Sequence, residues 1–174
     1  MQVAAEIAPT QILGEDRLEQ LMVERYPDLL RLAFLILHDL ADAEDATQLA
    51  LERAWRSRAQ VHSTDLTLHW LRRIVVREAL RSRSSPWRML RMPLHIGELE
   101  PPAEPRSLSG DSERVDLLRA FNHLPADQSA VVALHHYFSY PVAEVAEMLG
   151  VPLETVRSRL RLAMKRLREE LRDA

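Results

Sequence analysis

No cysteine occurs among the 174 residues. That excludes disulfides, thiolate metal sites and cysteine nucleophiles. Aromatic residues make up only 5% of the chain, so its packed cores must be aliphatic, and an apolar content of 47% is enough to build them. Lysine is nearly missing: Lys165 stands alone among 23 basic residues. A GC-rich coding background produces such an arginine bias, which therefore carries no chemistry of its own. The longest apolar run, Leu32 to Leu37, is far short of the ~20 residues that span a bilayer. The opening MQVAAEIAPTQ lacks the basic start and apolar centre of a secretory signal, so a cytoplasmic location and no membrane insertion are expected. No Gly-rich phosphate loop, Ser-His-Asp order or metal-ligand spacing stands out. His135 and His136 form the one histidine cluster, and adjacent residues on a helix point about 100° apart, which makes them poor co-ligands. The expectation is a non-enzyme without metal or cofactor.

A net charge of −3 argues on its face against a nucleic-acid binder, but the charge is segregated. Asp39 to Glu52 holds five acids and no base, whereas Arg72 to Arg91 holds seven arginines against Glu78 alone. Val156 to Arg168 holds six basic residues and no acid. Separated blocks of opposite sign imply separate surfaces for separate partners.

The last stretch is the most telling. A short periodic helix (Val145, Ala146, Met148, Leu149) meets Gly150, then Val151-Pro152, then a longer helix. Two helices joined by a tight turn with glycine at the left-handed position make a helix-turn-helix. In the second helix Val156, Leu160, Ala163 and Leu167 form the stripe to be buried. Glu154, Arg157, Ser158, Arg161 and Lys165 fall on the other face, which suits a DNA major groove.

Upstream, Glu15 to Leu37 reads as a helix (Leu18, Leu21, Met22, Leu29, Ala33, Leu37) that Pro27 kinks or breaks. Asp42 is the expected N-cap of a second helix, with Glu44 and Asp45 in its first turn. This helix runs to about Arg58 and buries Ala46, Leu49 or Ala50, Ala54 and Trp55. Ala59 to Thr67 reads as a loop, and a third helix spans about Leu68 to Ser82 with Leu68, Leu71, Ile74, Val75 and Ala79 inward. Trp55 and Trp70 are expected to lock the second helix against the third. Five prolines between Ser85 and Gly110 mark an extended linker. Periodicity resumes at Val115, Leu118 and Phe121, and Leu124-Pro125 opens a helix with Val131, Leu134 and Phe138 inside.

The expected fold is all-α: two small helical domains on a flexible Pro-rich linker, the second carrying the helix-turn-helix. The division is a tail over 1–14, a first domain over 15–84, a linker over 85–111 and a second domain over 112–174.

These residues match a family pattern. Tyr26, Asp42-Ala43-Glu44-Asp45, Gln48, Arg53-Ala54-Trp55 and Trp70-Leu71-x-x-Ile74 carry it in the first half. Leu124-Pro125, Ala143-Glu144-x-Ala146-Glu147-x-Leu149-Gly150 and Thr155-Val156-Arg157-Ser158-Arg159-Leu160 carry it in the second. In their order and spacing the chain resembles the extracytoplasmic-function (ECF) group of bacterial RNA polymerase sigma factors. It departs from the pattern at Leu49, Ala50 and Leu51, where an acid and an aromatic usually follow Gln48. Arg77 stands where asparagine is common, and Pro141 where a Ser or Thr cap is common.

The resemblance implies a dissociable subunit that joins core RNA polymerase and directs promoter-specific initiation through −10 and −35 elements. Asp42, Glu44, Asp45, Gln48 and Glu52 would face the β′ coiled-coil, and the second domain would meet the β flap. Arg56, Arg58, His62, Ser63, Arg72, Arg73 and Arg77 would serve the −10 element, the first four lying in or beside a segment that captures a flipped base in this family. Glu154, Thr155, Arg157 and Ser158 would reach base edges of the −35 element, with Arg159, Arg161, Lys165 and Arg166 better placed for phosphates or packing. The linker, with six acids and two arginines from Glu98 to Asp116, would run toward the active cleft and yield to growing RNA. An inhibitory anti-sigma protein is a further candidate partner. The alternative is a helix-turn-helix regulator that binds DNA without polymerase.

Overall fold

The computed structural model describes residues 15–60, 64–83 and 111–172. Among them every regular element is helical. The first lobe holds α1 (Glu15–Leu37), α2 (Leu40–Arg56) and α3 (Thr64–Arg83), and a 3-10 turn (Arg58–Gln60) follows α2. The second lobe holds α4 (Asp111–Asn122), α5 (Ala126–Val132), a π-helical turn (Ala133–Tyr137), α6 (Val142–Leu149) and α7 (Leu153–Arg172). The proline-rich linker lies outside the described residues, and so does its expected path.

α1 runs unbroken through Pro27. A proline there removes the hydrogen bond to the carbonyl of Val23. Val23 is 71% exposed, so water can take that carbonyl and the helix need not stop. Leu29, Leu32, Ala33 and Ile36 are fully buried, and each large aliphatic among them contributes about 1.5–3 kcal/mol. α2 faces α1 and α3 with Ala43, Ala46, Thr47, Ala50 and Ala54. This stripe of small side chains lets the three helices approach closely.

Several expectations need correction here. The N-cap of α2 is Asp39: its Oδ1 accepts from the Asp42 amide at 2.9 Å. Helix α2 ends at Arg56, and α3 starts at Thr64 rather than Leu68. Ala50 and not Leu49 is buried; Leu49 is 49% exposed. Trp55 is not a core residue but sits at the surface, 36% exposed. Position 55 lies one residue beyond the alanine stripe, about 100° around the helix, and the close packing leaves no room for an indole. Trp70 is half-buried, packed against the core rather than within it. The first lobe is pinned as well by Glu78, which is 5% exposed and meets Arg53 at 2.7 Å and Arg81 at 3.5 Å.

In the second lobe, α5, α6 and α7 each follow a proline. The carbonyls of Pro125, Pro141 and Pro152 accept the first helical amides at 2.9–3.3 Å. Pro141 supplies no side-chain cap, so α6 begins on this backbone bond alone. Gly150 ends α6 at φ 67, ψ 37. Its amide bonds the Glu147 carbonyl, and the Val151 amide bonds that of Ala146 at 3.1 Å, the Schellman closure of a helix. Val145, Ala146, Met148, Val156, Ala163 and Leu167 are buried together.

The lobes do not stand apart. Helices α1 and α3 pack on α5, the π-helical turn and α6. The outer face of α7 stays open to solvent, because the seam lies on the other side of the second lobe.

Candidate nucleic-acid interface

On α7 the expected separation of faces is present. Val156 and Ala163 are fully buried, while Glu154, Arg157, Arg161 and Lys165 are exposed. Thr155 and Ser158 sit half-buried at the edge of that face. Arg157 pairs with Glu154 one turn away, and Lys165 lies 3.8 Å from Glu169. Arg159 does not join them. Its Nε meets Asp127 at 3.0 Å, and Arg166 donates to Gln128 at 3.2 Å, so both arginines tie α7 to α5. The αL turn at Gly150 fixes the angle at which this basic face is presented.

On α3, Arg73 and Arg77 are one turn apart and Arg72 is their neighbour. Partial burial, then the Arg73 charge, lowers the pKa of Arg77 below its usual value. Crowding like charges on a partly desolvated face is costly unless an anion arrives. At the end of α2, Arg56 pairs with Glu52 at 3.2 Å. The Arg58 guanidinium lies 4.9 Å from the Trp55 ring centre and donates to the Trp55 carbonyl at 3.1 Å. His62 and Ser63 lie outside the described residues. Trp55 is the surface aromatic that sequence reasoning missed. The clue was available: residues 43, 46, 50 and 54 complete a buried stripe without it.

The acidic face of α2 is exposed at Glu44, Asp45, Gln48 and Glu52, with Asp42 half-buried. Leu49 opens an apolar patch in the middle of it. Among the described residues no cluster of His, Cys, Asp and Glu could hold a metal ion, and no helix is long and apolar enough to cross a membrane.

A family model for Sigma-70 region 2 matches residues 21–89, and one for Sigma-70, region 4 matches residues 114–167. The chain is 31% identical over 160 residues to the RNA polymerase sigma-E factor of Streptomyces coelicolor, covering 88% of this chain and 85% of that one. It is 30% identical over 168 residues to the ECF RNA polymerase sigma factor SigM of Mycobacterium tuberculosis, covering 94% and 82%. The chain belongs to the ECF group of RNA polymerase sigma factors. The sigma factor RpoE of Bartonella quintana, solved in complex with the anti-sigma factor NepR, shares its fold. The TM-score is 0.68 at 24% identity, over 88% of this chain and 96% of that one. Membership sets aside the polymerase-independent regulator: this is an alternative sigma factor of the ECF type, acting in transcription initiation.

Proposed function

We propose that the two lobes of this sigma factor read two promoter elements through separate basic faces. In the second lobe the exposed face of α7 enters the −35 major groove. Arg157, Glu154, Thr155 and Ser158 lie at the N-terminal end, which reaches deepest, and carry base recognition. Arg161 and Lys165 hold phosphates. Arg159, tied to Asp127, holds the recognition helix on α5 and acts on DNA only through that positioning.

In the first lobe, Arg72, Arg73 and Arg77 follow the backbone of the opened −10 strand. Trp55, with Arg58 stacked on it and Arg56 alongside, offers a flat surface for an extruded base; base recognition in single strands depends on such stacking. The acidic face of α2 docks on the β′ coiled-coil of core polymerase, where complementary charge speeds and orients encounter. The second lobe meets the β flap, and an anti-sigma protein competes for these surfaces. The work of the chain is recognition in the cytoplasm, and phosphodiester chemistry belongs to the polymerase.

The observation that carries this reading is the exposed basic face of α7, set by Gly150 on a chain of this family. Run-off transcription with purified core polymerase tests it. Transcripts from promoters selected by the chain are expected. Co-purification failure, with specific duplex binding by the chain alone, would instead return the polymerase-independent regulator.

A further inference from the structure

The open face of α7 is charged or hydroxyl-bearing, with one exception. Leu162 is 47% exposed and is not packed against the core. Two other leucines of α7, Leu153 and Leu171, are also exposed. Each lies two turns from a half-buried side chain that does pack on the core, Leu160 for the first and Met164 for the second. Both therefore continue the edge of the buried stripe. Leu162 does not belong to that edge. At about 100° per residue it falls about 160° around the helix from Leu160 and from Met164.

Its surroundings are those of an anion-binding surface. Ser158 lies one turn before it, Lys165 and Arg166 lie one turn after, and Arg161 is its neighbour; the three cations are exposed. Glu169, two turns further along the same flank, is held 3.8 Å from Lys165. Side chains on a helix lean toward its N-terminus, so the methyl groups of Leu162 cover the turn that carries Ser158. That is the end of α7 assigned to base edges. Taking Lys165 as the midline of the open face, Arg157 falls about 80° to one side and Leu162 about 60° to the other. An apolar peptide that buried Leu162 would also desolvate the cations around it without supplying counter-charge, at considerable cost. DNA supplies the charge, and its major groove presents one apolar group on a base edge, the C5-methyl of thymine.

We propose that Leu162 is a specificity-determining residue that reads the C5-methyl group of a thymine in the −35 element. This rests on the reading of α7 as the −35 recognition helix, and it adds a preference that hydrogen bonds do not supply. Deoxyuridine keeps the O4 acceptor of thymine and lacks the methyl, so the two bases differ at this contact alone. Covering one methyl group is worth about fourfold in affinity. That is less than a bidentate arginine contributes, so Leu162 sharpens a site whose register the polar contacts set.

Selection from promoters randomised across the −35 element, with reconstituted holoenzyme, supplies the DNA. Each thymine of the selected element, on either strand, is then replaced singly by deoxyuridine. The readout is the holoenzyme concentration that gives half-maximal run-off transcript. The expected result is a position at which loss of the methyl weakens the unaltered chain about fourfold. With Leu162→Ala, thymine and deoxyuridine promoters should be used alike at that position. Leu162→Gln, which keeps a long side chain and good helix propensity but has no apolar end, should behave the same way. Circular dichroism and co-elution with core polymerase check that both variants fold and assemble. A methyl effect of unchanged size in either variant overturns the assignment, and so does its absence at every thymine, or selection of an element without thymine. Loss of co-elution in a folded Leu162→Ala chain, with no methyl effect in the unaltered one, would make Leu162 a protein contact and equally overturn it. Failure of the underlying −35 reading looks different: transcription would then survive scrambling of the whole element.

Discussion

Replacing Arg157 with alanine isolates the step at which the recognition helix reads a base. In the free protein the guanidinium pairs with Glu154, and the two side chains are 59% and 78% exposed. An exposed pair of this kind contributes about 0.2–1 kcal/mol, so the arginine gives up little on entering the groove. A bidentate arginine contact to guanine is worth ~1–3 kcal/mol against a wrong base. Setting the first against the second leaves a central value of about 1–2 kcal/mol, or about 5- to 30-fold in discrimination. The assay is transcription by reconstituted holoenzyme from promoters randomised across the −35 element, followed by sequencing of the transcripts. Arg157→Ala should flatten preference at one or two positions by that factor. Lys165→Ala, a phosphate contact, should weaken all promoters alike and reduce the salt slope by about one unit. An unaltered preference profile for Arg157→Ala would refute the assignment of base reading to this residue.

Gly150→Ala forces a side chain into the left-handed region at φ 67, at a cost of about 1–2 kcal/mol. Thermal unfolding should report a fall of about 2–8 °C. Leu49→Glu restores acid to the α2 face at a position 49% exposed. Stopped-flow mixing with core polymerase should show faster association, with the gain fading as salt rises. Burial, and then the neighbouring His135, lowers the pKa of His136. The folded state therefore binds that proton less readily than the unfolded chain, whose imidazole titrates near about 6.5. Stability should be level above that pH and fall as pH drops below it, through the lowered folded value. In urea titrations His136→Asn should flatten this slope.

Helical periodicity made much of the fold legible. The buried stripe of α7 and the glycine turn before it need only local rules, and both stand where the spacing put them. Misplaced features are those in which two local signals compete. Asp39 and Asp42 can each cap α2, and packing of the alanine stripe selects the earlier start. Pro27 signals a break, yet α1 runs through it, with the residue that loses its hydrogen-bond partner, Val23, on the exposed side. Trp55 suggests a core residue by type, yet the small side chains at 43, 46, 50 and 54 already fill that contact. The seam between the lobes left no trace in periodicity. Arg31 with Tyr137 and Arg72 with Tyr140 are separated by 106 and 68 residues, and no spacing rule links positions so far apart. The two helical domains are legible while, for that reason, the contacts between them are not, and the structure adds those contacts.

The claim that two faces of one chain read two promoter elements is tested most directly by footprinting the holoenzyme on a promoter it transcribes. The account predicts two protected patches that can be lost separately. Arg161→Ala/Lys165→Ala should erase the −35 patch and spare the −10 patch, and Arg73→Ala/Arg77→Ala should do the reverse. If both patches vanish together with either pair, or neither changes, the division of labour between α7 and α3 is wrong.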